Sequence, residues 1–292
     1  MSAETSKQTV LVTGATDGLG KAAALLFAEK GYRVFAAGRS VEKRAQLDRL
    51  AQEKRLPLES LEMDVCDDDS VTRAVSHIRE IAGAIDVLIN NAGMSYVATV
   101  EEMMMKDWKG QFETNVFGVI RVTQAVVPQM RTRRRGRILM MSSVSGLVTP
   151  PTQGAYSGSK HAIEGISNAL RLELYPFDVR VILIEPGYIV TNIQNVAAEF
   201  TKAYKEQITK GPYAKIYAST WTGAKSSRAK SGTTAEDCAR IMLGAVEAPN
   251  PKARYGVTRT AKLIKWAKRF LPDSALDAMI RRTYGITRES GS

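Results

Sequence analysis

Apolar runs and amphipathic stretches take turns along this chain from residue 8 onwards. Gln8–Thr13 (QTVLVT) is β-branched and apolar, the pattern of a strand buried on both faces. Lys21–Lys30 is built from strong helix formers and closes at Gly31, after which Tyr32–Ala37 returns to a strand pattern. Further strand-like runs fall at Ile85–Ile89, Gly136–Ser142 and Val179–Glu185, separated by helical stretches. That alternation predicts an α/β fold, a doubly wound parallel sheet with helices on both faces. Thr233–Ile241 opens another capped helix and Arg254–Val257 is a final strand candidate. Ala261–Leu271 then has apolar residues at helical spacing with lysines between, and a further helix starts at Pro272–Ile280.

Composition bounds the picture. The 292 residues, 44% of them hydrophobic, suffice for one large domain with a sizeable core, so residues 1–292 read as a single unit with a flexible N-terminus over 1–7. The sequence shows no short-period repeat, low-complexity tract or bilayer-length apolar run, and its polar start lacks a signal peptide's apolar core; a cytoplasmic address is expected. Two cysteines, Cys66 and Cys238, and two histidines, His77 and His161, form no disulfide framework and no metal spacing. The net charge of +11 is concentrated in Arg131–Arg137 and in the segment after Arg254. These cations do not alternate with aromatic residues along one surface, so no nucleic-acid site is expected.

Candidate chemistry enters at three places. Gly14-Ala15-Thr16-Asp17-Gly18-Leu19-Gly20 follows the first strand and precedes the first helix, the order in which a glycine turn lets backbone approach a pyrophosphate at a helix N-terminus. The second strand ends at Gly38-Arg39-Ser40, without the acidic residue that would bond the 2′-hydroxyl of NAD. Arg39, with Ser40 and Lys43, suits a 2′-phosphate instead, which favours NADP(H) over NAD(H). Tyr156 and Lys160 stand one helical turn apart, with Ser143 thirteen positions before the tyrosine. A cation beside a phenol lowers its pKa towards that of a general acid/base, and a serine hydroxyl can orient a carbonyl and stabilise the charge that grows on its oxygen.

These features, taken in order with Asp64-Val65, Asn90-Asn91-Ala92-Gly93, Asn115 and Pro186-Gly187-Tyr188-Ile189-Val190-Thr191, resemble the short-chain dehydrogenase/reductase superfamily over about residues 8 to 250. The resemblance is to its single-domain, Rossmann-like branch, and the length of the tail is similar to that of steroid- and retinoid-type members. It implies Tyr156 as general acid/base, Lys160 as the residue that lowers its pKa and binds the nicotinamide ribose, and Ser143 as the carbonyl-orienting donor. It also implies Asn115 in a water-linked proton relay, Asp64 with Val65 at the adenine, and Asn91, Ala92 and Gly93 closing over the adenosine ribose. Pro186, Gly187, Ile189 and Thr191 would then hold the nicotinamide side, and a homodimer or homotetramer would form through helices near residues 100–130 and 155–175, with Met103–Met105 and Trp108 at the contact.

Residues 192–232 occupy the place of a substrate lid and contain Phe200, Tyr204, Tyr213, Tyr217 and Trp221, which are expected to cover a bulky apolar substrate of steroid, retinoid, long-chain or aromatic type. Residues 258–292 form a helical extension whose basic amphipathic helix, with Trp266 and Phe270, is expected to pack over the lid or a subunit interface, with a membrane surface as the less favoured alternative. The reading is an NADP(H)-dependent oxidoreductase interconverting an alcohol and a ketone or aldehyde on a small-molecule substrate. The alternatives are a 3-ketoacyl thioester reductase, a catalytically silent NADP(H)-sensing regulatory protein and a surface-binding protein using the basic tail; intact Asn115, Ser143, Tyr156 and Lys160 favour catalysis.

Overall fold

Seven parallel strands run through the centre in the order β3-β2-β1-β4-β5-β6-β7. The computed structural model describes residues 8–189 and 201–291, so the expectations for the flexible N-terminus, Thr191 and Phe200 fall outside the described residues. The strands are β1 (Thr9–Thr13), β2 (Arg33–Gly38), β3 (Leu58–Glu62), β4 (Val87–Asn90), β5 (Gly136–Met141), β6 (Val179–Glu185) and β7 (Arg254–Gly256). Helices α1 (Gly18–Glu29), α2 (Val41–Glu53), α3 (Asp68–Ala82), α4 (Met105–Phe112), α5 (Gly118–Arg133) and α6 (Gly154–Leu174) alternate with them. The later helices are α7 (Lys205–Lys210), α8 (Ala214–Ser231), α9 (Ala235–Glu247), α10 (Arg259–Phe270) and α11 (Asp273–Tyr284).

Strands covered on both sides need apolar residues at successive positions, which explains the runs Val10–Val12, Val87–Ile89 and Ile138–Met141 in β1, β4 and β5. One face packs Phe27, Leu47, Met242 and Val246 from α1, α2 and α9; the other packs Val75, Ile78, Val122, Met130 and Ile163 from α3, α5 and α6. β3 escapes the sequence pattern because it is an edge strand, with Leu61 as its one buried residue. The first helix starts at Gly18, three residues before its run of helix formers, because the Asp17 carboxylate caps it by accepting from the Gly18 N–H at 2.7 Å.

The strand order reverses between β1 and β4. Their carboxyl ends diverge there, opening the crevice in which open α/β sheets bind ligands. A π-helical turn, Glu113–Phe117, joins α4 to α5 and sets Asn115, fully buried, against α6. Met103 is buried in the cluster under the lid, away from the subunit contact expected of it; Trp108 packs against that cluster partly buried, and Met104 and Met105 are exposed.

Candidate active site

The glycine turn after β1 is tied to the end of β4 by side-chain bonds. The Thr13 hydroxyl accepts from the backbone N–H groups of Asn91 and Ala92, both at 3.0 Å, while Asn91 Nδ2 donates to the carbonyls of Thr13 and Gly14 at 3.0 and 3.1 Å. Gly14 has φ +62°, a conformation open to glycine. A Cβ on Gly20 would lie 2.3 Å from the Gly14 carbonyl oxygen and 2.4 Å from Asn91 Nδ2, so the helix N-terminus abuts the turn with no room for a side chain. The turn, free N–H groups and positive end of the α1 dipole together fit a dinucleotide pyrophosphate. If this turn holds a dinucleotide, Gly20→Ala should remove most of any rise in melting temperature that NADPH or NADH gives the wild type; an undiminished rise would show that the dinucleotide does not lie against this turn.

At the adenosine end the side chain of Arg39 is 71% exposed, with Nη1 3.6 Å from Asp64 Oδ2. Ser40 caps α2 by accepting from the Lys43 N–H, and Lys43 Nζ pairs with Asp17 Oδ2 at 2.6 Å. Asp64 Oδ1 accepts from the Cys66 N–H at 2.9 Å, and Val65 is buried against Gly118. Thr16, Gly18, Leu19 and Gly93 line the same cavity wall.

Ser143 follows β5 in extended backbone; its hydroxyl accepts from the Ser145 N–H at 3.0 Å and hydrogen-bonds Tyr156. Lys160 Nζ donates to the Met141 carbonyl at 2.8 Å and sits 5.7 Å from the centre of the Tyr156 ring. The phenol is pushed up, not down as the pairing with lysine predicts, because burial outweighs the hydrogen bond from Ser143 and the Tyr188 phenol adds to the rise. Burial also brings Lys160 down to about 8 from 10.5, against the opposing charge of Glu164. Asn115 Nδ2 donates to the Met94 carbonyl at 3.0 Å and to Ser159 Oγ at 3.1 Å, and its Oδ1 accepts from the Met94 N–H at 2.9 Å. Its side chain thus pins the loop after β4 to α6.

Ser143, Tyr156 and Lys160 open into one cavity of about 1330 Å³ that runs from the glycine turn to the C-terminal helices, while Asn115 lies behind its wall. Its far wall carries Trp221, Leu263, Ile264, Met279 and Ile280, an apolar surface beyond the Ser143–Tyr156 pair. Pro186, Gly187 and Ile189 line its middle. Tyr188, from the same loop, hydrogen-bonds both Tyr284 of α11 and Gln153.

A model of the short chain dehydrogenase family matches residues 8–202, two thirds of the chain. The chain belongs to the short-chain dehydrogenase family. Among its relatives, the NADPH-dependent 3-dehydrocapnine reductase of Ornithobacterium rhinotracheale is 33% identical over 287 residues, 96% of this chain and 99% of that one. The 3-ketodihydrosphingosine reductase of Bacteroides thetaiotaomicron is 40% identical over 180 residues, 62% of this chain and 63% of its own length. In structure, a short-chain dehydrogenase/reductase from Burkholderia phymatum in complex with NAD aligns at a TM-score of 0.79 and 23% identity, covering 94% of this chain and 96% of that one. This chain is accordingly an NAD(P)-dependent oxidoreductase.

Within this short-chain dehydrogenase the lid departs from expectation. Tyr204 donates to Asp107 and accepts from the Met104 N–H at 3.0 Å, while Tyr217 donates to Glu102 at 2.8 Å and accepts from the Thr99 N–H at 2.9 Å. Tyr213 donates to Glu101 at 2.5 Å. These three rings anchor the lid to the segment around α4, Tyr204 and Tyr217 because buried phenols seek acceptors and Tyr213 by an exposed bond at the rim, and among the described lid aromatics Trp221 alone lines the cavity. The apolar wall comes instead from α10 and α11. Sequence reasoning did not single out Tyr188, Gln153, Tyr284, Met279 or Ile280. Tyr188 lies inside the quoted Pro186–Thr191 loop, but nothing local signals its convergence with α11. The lid helix packs on that tail directly, since a Cβ on Gly223 would lie 2.6 Å from the Tyr284 ring.

Proposed function

We propose that this enzyme uses NADPH to reduce the ketone of a bulky, long-chain apolar substrate, acting in the cytoplasm as a homo-oligomer. The observation that carries the reading is the continuity of one cavity from the Ser143–Tyr156–Lys160 group to the apolar wall of α10 and α11. The names of the two relatives support it: both are reductases, one is NADPH-dependent and one is named for a 3-keto substrate.

When bound, the reduced nicotinamide supplies the hydride for the carbonyl carbon. The hydroxyls of Ser143 and Tyr156 donate to the carbonyl oxygen, and Tyr156 releases its proton there as negative charge develops. The ammonium of Lys160 stabilises the tyrosinate left behind, and solvent restores the proton. Lys160 and the Ile189 loop hold the nicotinamide side, Asp64 and Val65 the adenine, and Asn91 to Gly93 the adenosine ribose. The Asn115 side chain keeps α6 in place through its bond to Ser159, one residue before Lys160. Arg39 and Ser40 receive the 2′-phosphate, with Lys43 held close by Asp17.

Arg39→Ala is expected to raise KM for NADPH by about 10- to 100-fold, the loss of one charge-assisted contact, and to leave KM for NADH within about twofold. Equal effects on both cofactors would remove Arg39 from the 2′-phosphate site. The reading of the substrate is tested by Trp221→Ala: KM for a long-chain ketone should rise, while kcat/KM for a short soluble ketone stays at the wild-type value.

A further inference from the structure

We propose that α10 docks this enzyme on an anionic lipid surface, from which the cavity draws its long-chain substrate. The supply route rests on the reading of a long-chain substrate above; the docking face stands on its own observations.

Leu263, Trp266 and Phe270 stand at i, i+3 and i+7 of α10, which places them on one side of the helix. They are 63%, 60% and 61% exposed, and Leu271 continues the apolar surface beyond the helix end. The Trp266 and Phe270 rings lie 5.1 Å apart in a tilted stack, so the exposed apolar groups form one continuous patch. Ala261, across the helix from the stripe, and Ala267, at its border, are buried against the domain and fix the direction in which this patch faces.

The same helix carries Arg259, Lys262, Lys265, Lys268 and Arg269 and no acidic residue. Lys265 leans towards Glu185 at 3.7 Å, and the Arg269 guanidinium lies 5.8 Å from the centre of the Phe270 ring, at the border between apolar and cationic surface. Cations flanking an aromatic-rich apolar stripe suit an interface in which rings enter the headgroup boundary and cations meet lipid phosphates. Charge complementarity disfavours a second copy of the chain as the occupant: pairing α10 with itself sets five cations against five on a molecule of net charge +11.

The position of the stripe gives it a use. Leu263 belongs both to the exposed stripe and to the cavity wall, and half-exposed Trp221 sits on that wall as well. The apolar path from the helix surface to the cavity is therefore continuous, so an amphiphile can move along it without exposing its chain to water. No helix among the described residues is long and apolar enough to cross a membrane, and the proposed contact is a surface one.

The test is sedimentation of the full chain with vesicles of phosphatidylcholine, with and without phosphatidylserine, alongside light scattering for oligomeric state. The wild type should partition onto the phosphatidylserine vesicles and leave them as salt rises. Trp266→Ala/Phe270→Ala should weaken this by about 10-fold or more, and Lys262→Glu/Lys268→Glu by at least as much, with reduction of a short soluble ketone unchanged in both. A wild type that stays in the supernatant of both vesicle types overturns the proposal, even if it reduces a detergent-dispersed long-chain ketone. So does a shift of Trp266→Ala/Phe270→Ala to a smaller oligomer with vesicle binding intact, since the patch would then be a contact between copies. Partitioning by an enzyme that reduces neither ketone would uphold the docking face while removing the proposed reaction.

Discussion

Tyr156→Phe is expected to lower kcat for ketone reduction by about 10²- to 10⁴-fold, the range of a positioned general acid, while Kd for NADPH changes little. The phenol is the group within reach of a carbonyl held by Ser143 that can release a proton to it. Its pKa lies above the ordinary tyrosine value, through burial and the neighbouring Tyr188 phenol, so it stands protonated at neutral pH and ready to act as the acid in reduction. For alcohol oxidation the same residue must first lose that proton, and the rate should climb with pH. A phenylalanine variant with more than a tenth of wild-type kcat would move the proton to another donor, the first alternative being Tyr188, which lines the same cavity.

Lys160→Met is expected to give a loss of similar size in kcat together with weaker cofactor binding, and its pH signature separates it from a packing defect. The lysine falls to about 8 from 10.5 because its ammonium is buried. The charged form, which the mechanism requires, predominates below about 8, so activity in the reduction direction should fall as pH rises through that value. Stability has the opposite sign. Between about 8 and 10.5 the unfolded chain holds a proton on this lysine that the folded chain has released, so unfolding free energy should rise with pH in that window. The methionine variant should lose this contribution to the slope in thermal or urea unfolding. An unchanged alkaline slope would show that Lys160 titrates as an exposed lysine does.

The parts of the fold that were legible in the sequence are those set by local pattern. Doubly buried strands need successive apolar residues, and β1, β4, β5 and β6 supply them, the last two after a half-buried arginine at the second position; the glycine turn and the i, i+4 pair of Tyr156 and Lys160 are also local, so spacing alone placed them. β3 was missed because an edge strand buries few residues. Asp17 moved the start of α1 forward by capping ahead of the helix formers, an effect that propensity does not carry. The lid was misread for a different reason. Tyr204, Tyr213 and Tyr217 count as aromatic in any composition, but their hydroxyls pair with Asp107, Glu101 and Glu102, three acids clustered within seven residues of sequence. That cluster was the available signal. The Tyr188–Tyr284–Gln153 contact joins residues from three distant segments, and nothing local announces it. The sign of the Tyr156 shift also lay beyond the sequence, because it depends on how far the phenol is withdrawn from water.

The most direct test of the account is the oxidation of NADPH by the purified enzyme with a long-chain 3-ketone, run in parallel with NADH and with Tyr156→Phe. The account expects turnover that favours NADPH and falls at least about 100-fold in the variant. Cofactor binding without turnover of that ketone, or turnover that survives the loss of the Tyr156 hydroxyl, would contradict it.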